Sequence, residues 1–242
     1  MFGYANHSYL INALTPPSIP GLAAWYDAAD TATITSSSGA VSQWNDKSGN
    51  NYHVTQGTGA SQPGTGGSTL NGLNVLTFDG GDHLVMPSGL YTIPNGDNAT
   101  FAVAKITTEA ATTQYLFSMT EAGSVRNYIR FSPTAGNILF HSAATNLGGV
   151  SNTGNTNTNH QILTGYRSGT TLSMQVNGDT AATNSNGASE PGIDGATIGS
   201  LVAGGFLTGQ IAEIFIYSRA PSADEIKSLN FYLSLKWGIA LP

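Results

Sequence analysis

Cysteine is absent from the 242 residues, so no disulfide framework, thiolate metal site or cysteine nucleophile is available to this chain. Charge is scarce as well: Asp, Glu, Lys and Arg make up 9% of the residues, against roughly 25% in an average soluble domain. With five Glu and four Lys in all, a coiled coil or long helical bundle is excluded. Eight Lys and Arg against 14 Asp and Glu give a net charge of −6, and the cations nowhere cluster as phosphate recognition requires. Long apolar runs are missing too, none approaching the ~18 residues of a membrane span. The opening sequence MFGYANHSYLINAL lacks a basic segment followed by an apolar one, so synthesis in a cytoplasm without a signal peptide is expected. Neither nucleic acid nor membrane is expected as a partner, and no cofactor is expected.

Uncharged polarity takes the place of charge. There are 28 Thr, 24 Ser and 20 Asn, together 72 residues, beside 30 Gly. The hydrophobic fraction of 40%, spread along the chain, suffices for one sizeable core and rules out disorder of the whole.

Residues 1–20 read as a separate N-terminal arm and connector. Phe2, Tyr4, Tyr9, Leu10, Ile11 and Leu14 are apolar without helical spacing, and Pro16, Pro17 and Pro20 predict an extended link. From residue 21 to 242 one domain is expected. Short β-type runs alternate there with Gly, Asn, Ser and Pro clusters, as in a sandwich or barrel rather than βαβ units. Expected strands are 22–26, 41–44, 75–78, 83–85, 100–106, 115–119, 128–132, 138–141, 161–166, 172–176 and 211–217. Pro133–Gly136, Arg167–Thr170 and Asn177-Gly178 supply turns between them. The stretches 57–69 and 146–159, nearly all Gly, Thr, Ser, Asn and Gln, read as surface loops.

The run Gln210–Tyr217 is apolar on both faces and reads as a central strand, with Ala212, Ile214 and Ile216 on one side and Ile211, Phe215 and Tyr217 on the other. Glu213 inside it is half-buried by this reading and must either find a partner, Arg219 or Lys236, or be protonated. One helix is expected, at the C-terminal end. Ser222 and Glu225 form a capping box after Pro221, Ile226, Leu229, Leu233 and Trp237 share a face, and Gly238 stops the helix.

The segments Gly21–Asp27 (GLAAWYD), Val41–Gly49 (VSQWNDKSG), Leu76–Gly80 (LTFDG) and Asp82–Val85 (DHLV) resemble the laminin-G-like, concanavalin A-type jelly-roll domains of bacteria and their phages. So do His160–Gly178, Gly209–Tyr217, Arg219–Ser222 and the closing Tyr232–Ile239. The resemblance spans about residues 21–240. It implies an all-β, two-sheet antiparallel jelly-roll sandwich with one C-terminal helix, to which the extended N-terminal arm is attached. In some such domains an Asp-Glu pair in the last strand holds a structural Ca²⁺; here Ala212-Glu213 removes one hard oxygen ligand. Asp79 with Asp82, or Asp27 with Asp30, are weaker substitutes, and no metal is assigned.

One such fold serves lectins, glycosidases and structural modules, so function is read from residues. A glycosidase needs two carboxylates about 5–5.5 Å apart for retention; the Glu at 109, 121, 190, 213 and 225 are scattered, and no Gly-x-Ser-x-Gly elbow occurs. No catalytic residue is assigned. The leaderless, Cys-free, charge-poor jelly roll with an apolar arm points first to a non-enzymatic bacteriophage virion surface protein, a capsid decoration protein or tail adhesin. Phe2, Tyr4, Tyr9, Leu10 and Ile11 would anchor it to other virion proteins of capsid or tail, and copies would form a homo-oligomer or lattice. The alternative is a lectin-like carbohydrate-binding module for host-cell glycans. Trp44, Asn50, Asn51, Tyr52 and His53 offer the mixture of rings and amides that sugars require, with Tyr115, Tyr128 and Tyr166 as further rings on expected strands. A glycoside hydrolase ranks third.

Overall fold

The structure, a computed structural model, describes residues 14–86, 96–107, 112–121, 124–132, 136–142, 149–153, 158–185, 195–201 and 204–242. In chain order the first nine strands are β1 (Leu22–Asp27), β2 (Ile34–Ser37), β3 (Ala40–Trp44), β4 (Val54–Thr55), β5 (Thr69–Leu70), β6 (Leu73–Asn74), β7 (Leu76–Asp79), β8 (Leu84–Met86) and β9 (Asn98–Ile106). Then come β10 (Gln114–Glu121), β11 (Ser124–Ser132), β12 (Asn137–Ser142), β13 (Val150–Asn152), β14 (Gln161–Ser168), β15 (Thr171–Val176), β16 (Ala182–Ser185), β17 (Gly195–Ile198) and β18 (Thr208–Tyr217). The helix α1 (Ala223–Trp237) closes the chain.

All eleven runs read from the sequence are strands, and they assemble as two antiparallel sheets, the expected jelly-roll sandwich. One sheet has seven strands in the order β1-β18-β9-β14-β15-β16, with β7 beside the first half of β18. The other has nine, in the order β13-β12-β11-β10-β17-β8-β4-β3-β2, and β5-β6 is a separate hairpin. The facing sides enclose a core that includes Trp44, Phe78, Phe117, Phe131, Phe140, Ile211, Ile214 and Ile216. Gly165 makes one close approach possible. A Cβ there would lie 2.4 Å from the Phe140 ring, so the ring packs directly on the β14 backbone.

The central position of β18 follows from its two apolar faces, but their membership differs from simple alternation. A bulge between Ile211 and Glu213 in the pairing with β9 resets the pleat. Ile211 therefore joins Ile214 and Ile216 in the core, while Ala212, Phe215 and Tyr217 face the helix. On that side α1 lays Ile226, Leu229, Leu233 and Trp237 over Phe101, Phe215 and Tyr217, and the Phe101 and Phe215 rings stack at 4.9 Å. Burying Trp237 stabilises this layer by roughly 2–3 kcal/mol. The capping box is formed as expected: the Ser222 hydroxyl accepts from the Glu225 amide and the Glu225 carboxylate from the Ser222 amide. Gly238 ends the helix at a φ of 69°.

Three details correct the sequence reading. Residues 14–20 are not an extended link, because two adjacent prolines open a 3-10 turn at Pro16–Ser18. Pro16 and Ile19 are buried, and the Tyr217 hydroxyl donates to the Pro16 carbonyl at 2.9 Å. Within 146–159, Val150–Asn152 is the edge strand β13, and within 57–69, Gly64 bridges Ala40 and Thr77. The arm residues Phe2, Tyr4, Tyr9, Leu10 and Ile11 lie outside the described residues.

Register fixes what the nine-stranded sheet presents outward. Directly opposed residues share a face, and the pairings Thr35–Gln43, Gln43–Thr55, Thr55–Val85, Val85–Thr197, Thr197–Ser118, Ser118–Tyr128 and Tyr128–His141 form one row across eight strands. The neighbouring row at the β10–β13 end is Tyr115, Arg130, Leu139 and Ser151.

Candidate functional site

The loop from Trp44 to His53 is built inward. Trp44 is fully buried, its ring 5.6 Å from that of Tyr26. Asp46 holds the loop together by accepting from the amides of Trp25, Ser48 and Tyr52 and from the Ser48 hydroxyl, at 2.7–3.1 Å. The Asn50 side-chain amide donates to the Leu22 and Ala23 carbonyls, and His53 Nδ1 accepts from the Asp46 amide at 3.1 Å. The Tyr52 carbonyl accepts from the Tyr26 hydroxyl, while Asn51 is an exposed turn residue at a φ of 62°. The Asn50 side-chain nitrogen and His53 Nδ1 are thus engaged by the fold, and the buried Trp44 ring offers no surface to a sugar.

Glu213 is wholly buried beneath α1 rather than half-buried. Its carboxylate accepts from Trp25 Nε1 at 2.7 Å, Trp237 Nε1 at 2.7 Å, the Tyr232 hydroxyl at 2.9 Å and Lys236 Nζ at 2.9 Å. Lys236 also pairs with Asp27 at 2.7 Å, and Lys47 bridges Asp27 and Asp30 at 2.9 and 2.8 Å. Burial pushes the Glu213 carboxyl up, and the Lys236 ammonium opposes it. Of the two partners the sequence offers, Lys236 serves; Arg219 pairs with Glu225 instead. A cation does not fit here, because Glu213 already takes four donors and Asp27 faces two ammonium groups. Among the described residues no three His, Cys, Asp or Glu come together as metal ligands.

Asp79 and Asp82 close a turn, with the Asp79 amide donating to Asp82 at 2.9 Å and the Gly81 amide to Asp79 at 2.8 Å. Burial, with Asp79 beside it, pushes the Asp82 carboxyl up from 3.8 to about 6. The folded chain then holds more protons than the unfolded one between these values, so this contribution to stability falls as pH rises from 3.8 to about 6. Glu225 has the opposite sign. The Arg219 guanidinium holds its carboxyl down from 4.5 to about 2, giving stability that is present above 4.5 and lost as pH falls toward 2. Thermal melts across pH should show Asp82→Asn removing a fall of stability between pH 4 and 6 and Glu225→Gln removing a rise of stability up to pH 4.5; unchanged profiles would refute the assignments.

A cluster of planar side chains stands on the outer face of the nine-stranded sheet. Tyr128 stacks on His141 with centroids 4.9 Å apart, and Tyr115 meets Tyr128 edge-on at 5.3 Å. The Arg130 guanidinium lies 5.9 Å from the Tyr115 ring centre and 5.5 Å from that of Tyr128, and Nη1 reaches the Tyr115 hydroxyl at 3.4 Å. Tyr115 and His141 are buried at the base, whereas Tyr128 and Arg130 are half-buried and reach solvent. Burial pushes the Tyr128 phenol up, so it stays a neutral donor and acceptor at ordinary pH. The row leading away from the rings, Ser118, Thr197, Val85, Thr55, Gln43 and Thr35, carries no charge; Ser118 and Thr197 are buried, the Ser118 hydroxyl donating to the Ser200 carbonyl at 2.9 Å, and the row reaches solvent from Val85 onward. Tyr115 and Tyr128 are thus brought together; Arg130 and His141 went unread. Their signal was alternation, since Tyr128 and Arg130 share one face of a strand whose Ile129 and Phe131 face the core.

Tyr166 lies on the other sheet, in a groove of about 590 Å³ beside α1 with Ile226, Phe231 and Leu241. Two of its polar side chains are engaged within the fold: Asn230 accepts from Thr164 at 2.7 Å, and Asp179 accepts from the Val176 amide at 3.0 Å.

Comparison with known proteins adds three findings. A family model described as the concanavalin A-like lectin/glucanases superfamily, laminin-G type, matches residues 78–227. Trypanosoma rangeli sialidase in complex with the inhibitor DANA is similar over 88% of this chain at 16% identity and a TM-score of 0.63, but this chain spans only 33% of the sialidase. Domain 4 of AbnA, an extracellular GH43 arabinanase of Geobacillus stearothermophilus solved in complex with arabinotriose, is similar over 86% of this chain and 98% of its own at 14% identity and a TM-score of 0.58. A comparison with curated protein sequences found no match.

Proposed function

The chain belongs to the concanavalin A-like lectin/glucanases superfamily, and on that premise we propose that it is a non-catalytic carbohydrate-binding module whose site is the outer face of the nine-stranded sheet at Tyr115, Tyr128, Arg130 and His141. One observation carries the reading: four planar side chains packed edge and face beside an uncharged row of the sheet, with Tyr128 and Arg130 reaching solvent. Saccharides need such a pairing, because their C–H faces pack on rings while their hydroxyls seek uncharged donors and acceptors. The fold's likeness to a whole arabinanase domain solved with an oligosaccharide supports it. Binding without cleavage is supported by Asp27 and Glu213, acids opposed in register that share Lys236 beneath the helix instead of opening on the outer face.

A glycan array followed by calorimetry tests the reading. Tyr128→Ala should weaken the best glycan about tenfold or more, whereas Asn50→Ala should leave affinity unchanged. An array on which no glycan is retained would sink it.

A second reading, a bacteriophage virion surface protein of capsid or tail, is favoured by the base of the N-terminal segment. Leu14, Pro16 and Ile19 are fastened to the helix-side layer, a fixed base of the kind a tether requires. Removing residues 1–13 should leave the melting temperature within about 2 °C, since the fastened turn is retained, and should abolish incorporation into particles. Undiminished incorporation would overturn the anchoring role of Phe2, Tyr4, Tyr9, Leu10 and Ile11. The two readings meet in an adhesin that is tethered by its arm and binds host glycans by its sheet face.

A further inference from the structure

We propose that the saccharide held at this face is acidic, its carboxylate received by Arg130; the inference rests on the carbohydrate-binding reading above and narrows its ligand class. Four of the other cations are satisfied within the fold. Arg219 grips Glu225 through two nitrogens at 2.6 and 2.9 Å, Lys47 has Asp27 and Asp30, and Lys236 has Asp27 and Glu213. Arg167 donates to the Ser142 and Gly169 carbonyls at 2.6 and 2.9 Å. Arg130 has no such partner among the described residues. Its one hydrogen bond is the 3.4 Å contact with the Tyr115 hydroxyl, and its buried Nε has no acceptor.

A guanidinium partly removed from water without a counter-charge is costly to keep. This one is kept, and it is aimed: the rings of Tyr115 and Tyr128 flank it and limit its rotamers. A planar fork of donors with an open side matches a carboxylate in two parallel hydrogen bonds, which an ammonium could not supply. The neutral row beside it suits the uncharged remainder of the sugar, and no described acid in that row or the next would repel the ligand. The ligand class is therefore a saccharide bearing a carboxylate, such as a uronic or nonulosonic acid.

The test uses the whole chain and matched probes: tetragalacturonic acid against its methyl ester, and sialyllactose against lactose, titrated by calorimetry at low and high salt. The acid of at least one pair should bind about tenfold or more tightly than its neutral counterpart, with the difference shrinking as salt rises. Arg130→Gln should erase the preference for the acid over its neutral counterpart, and Arg130→Lys should restore that preference only in part. The comparison of acid with neutral form on the unaltered protein needs no variant, so misfolding of a variant does not blunt it. Equal affinities within both pairs, or a preference that survives in folded Arg130→Gln, would overturn the inference and leave the carbohydrate reading standing. Failure of every probe together with an empty glycan array would remove both.

Discussion

Glu213→Ala should lower the melting temperature by about 6–20 °C, the largest effect expected of any single charged residue here. The reason is what the alanine leaves behind. The two indole N–H groups of Trp25 and Trp237, the Tyr232 hydroxyl and the Lys236 ammonium all converge on this one buried carboxylate. Removing one partner of a buried charge pair costs about 3–5 kcal/mol, because the remaining charge stays desolvated. At roughly 2–4 °C per kcal/mol for a chain of this size, that is about 6–20 °C. Lys236→Met should cost less, since Glu213 keeps three neutral donors and Asp27 keeps Lys47. In the double variant Glu213→Leu with Lys236→Met, apolar groups replace the pair and part of the loss should return, as they often do at little cost for a buried ion pair. Recovery should be incomplete, because both indoles still lack an acceptor. Urea denaturation of the parent, Glu213→Leu, Lys236→Met and the double variant supplies the cycle, and a Glu213→Ala loss below about 1 kcal/mol would show that the network contributes little.

The network also marks how far the sequence reaches. That Glu213 needed a partner followed from its place in an apolar run, but the choice of Lys236 over Arg219 did not. Lys236 is set by the helix phase that buries Trp237 beside it, while Arg219 is held back by the capping residue Glu225. The central strands were legible because their apolar runs are long and bounded by turn residues. The short strands β2, β4, β13, β16 and β17 were not. Each has four residues or fewer, and tertiary pairing rather than local pattern makes it a strand. Bulges were invisible as well. The register shift between Ser36 and Thr35 in the pairing of β2 with β3 lets Val41 and Trp44, three positions apart, both face the core. Regular alternation would have put one of them outside, and a ring among Asn, Asp and His then looks like a sugar platform. The outer-face cluster failed for another reason. Tyr115, Tyr128 and His141 are 13 residues apart at each step, and only the pairing of β10, β11 and β12 brings them side by side.

Trp44 therefore carries the second large prediction, and it separates architecture from recognition at one position. Trp44→Ala empties a fully buried site between the sheets and should cost about 3–5 kcal/mol, the range for truncating a large aromatic side chain in a core. The cavity adjoins the Tyr26 ring, whose hydroxyl donates to the Tyr52 carbonyl, so the Asp46 loop should loosen with it. Trp44→Phe is the informative contrast. It leaves a smaller void and also removes the buried indole N–H, which has no acceptor. The penalty for an unsatisfied buried donor, about 1–3 kcal/mol, is thereby relieved and offsets much of the lost packing. Trp44→Phe should lie within about 1.5 kcal/mol of the parent while Trp44→Ala falls far below it. Both, assayed where they are folded, should retain the glycan affinity that Tyr128→Ala loses, because Trp44 faces the core and Tyr128 the opposite side of the same sheet. A folded Trp44→Phe that no longer binds glycan would return the site to the loop, since a phenyl ring buried between the sheets has no other route to the ligand.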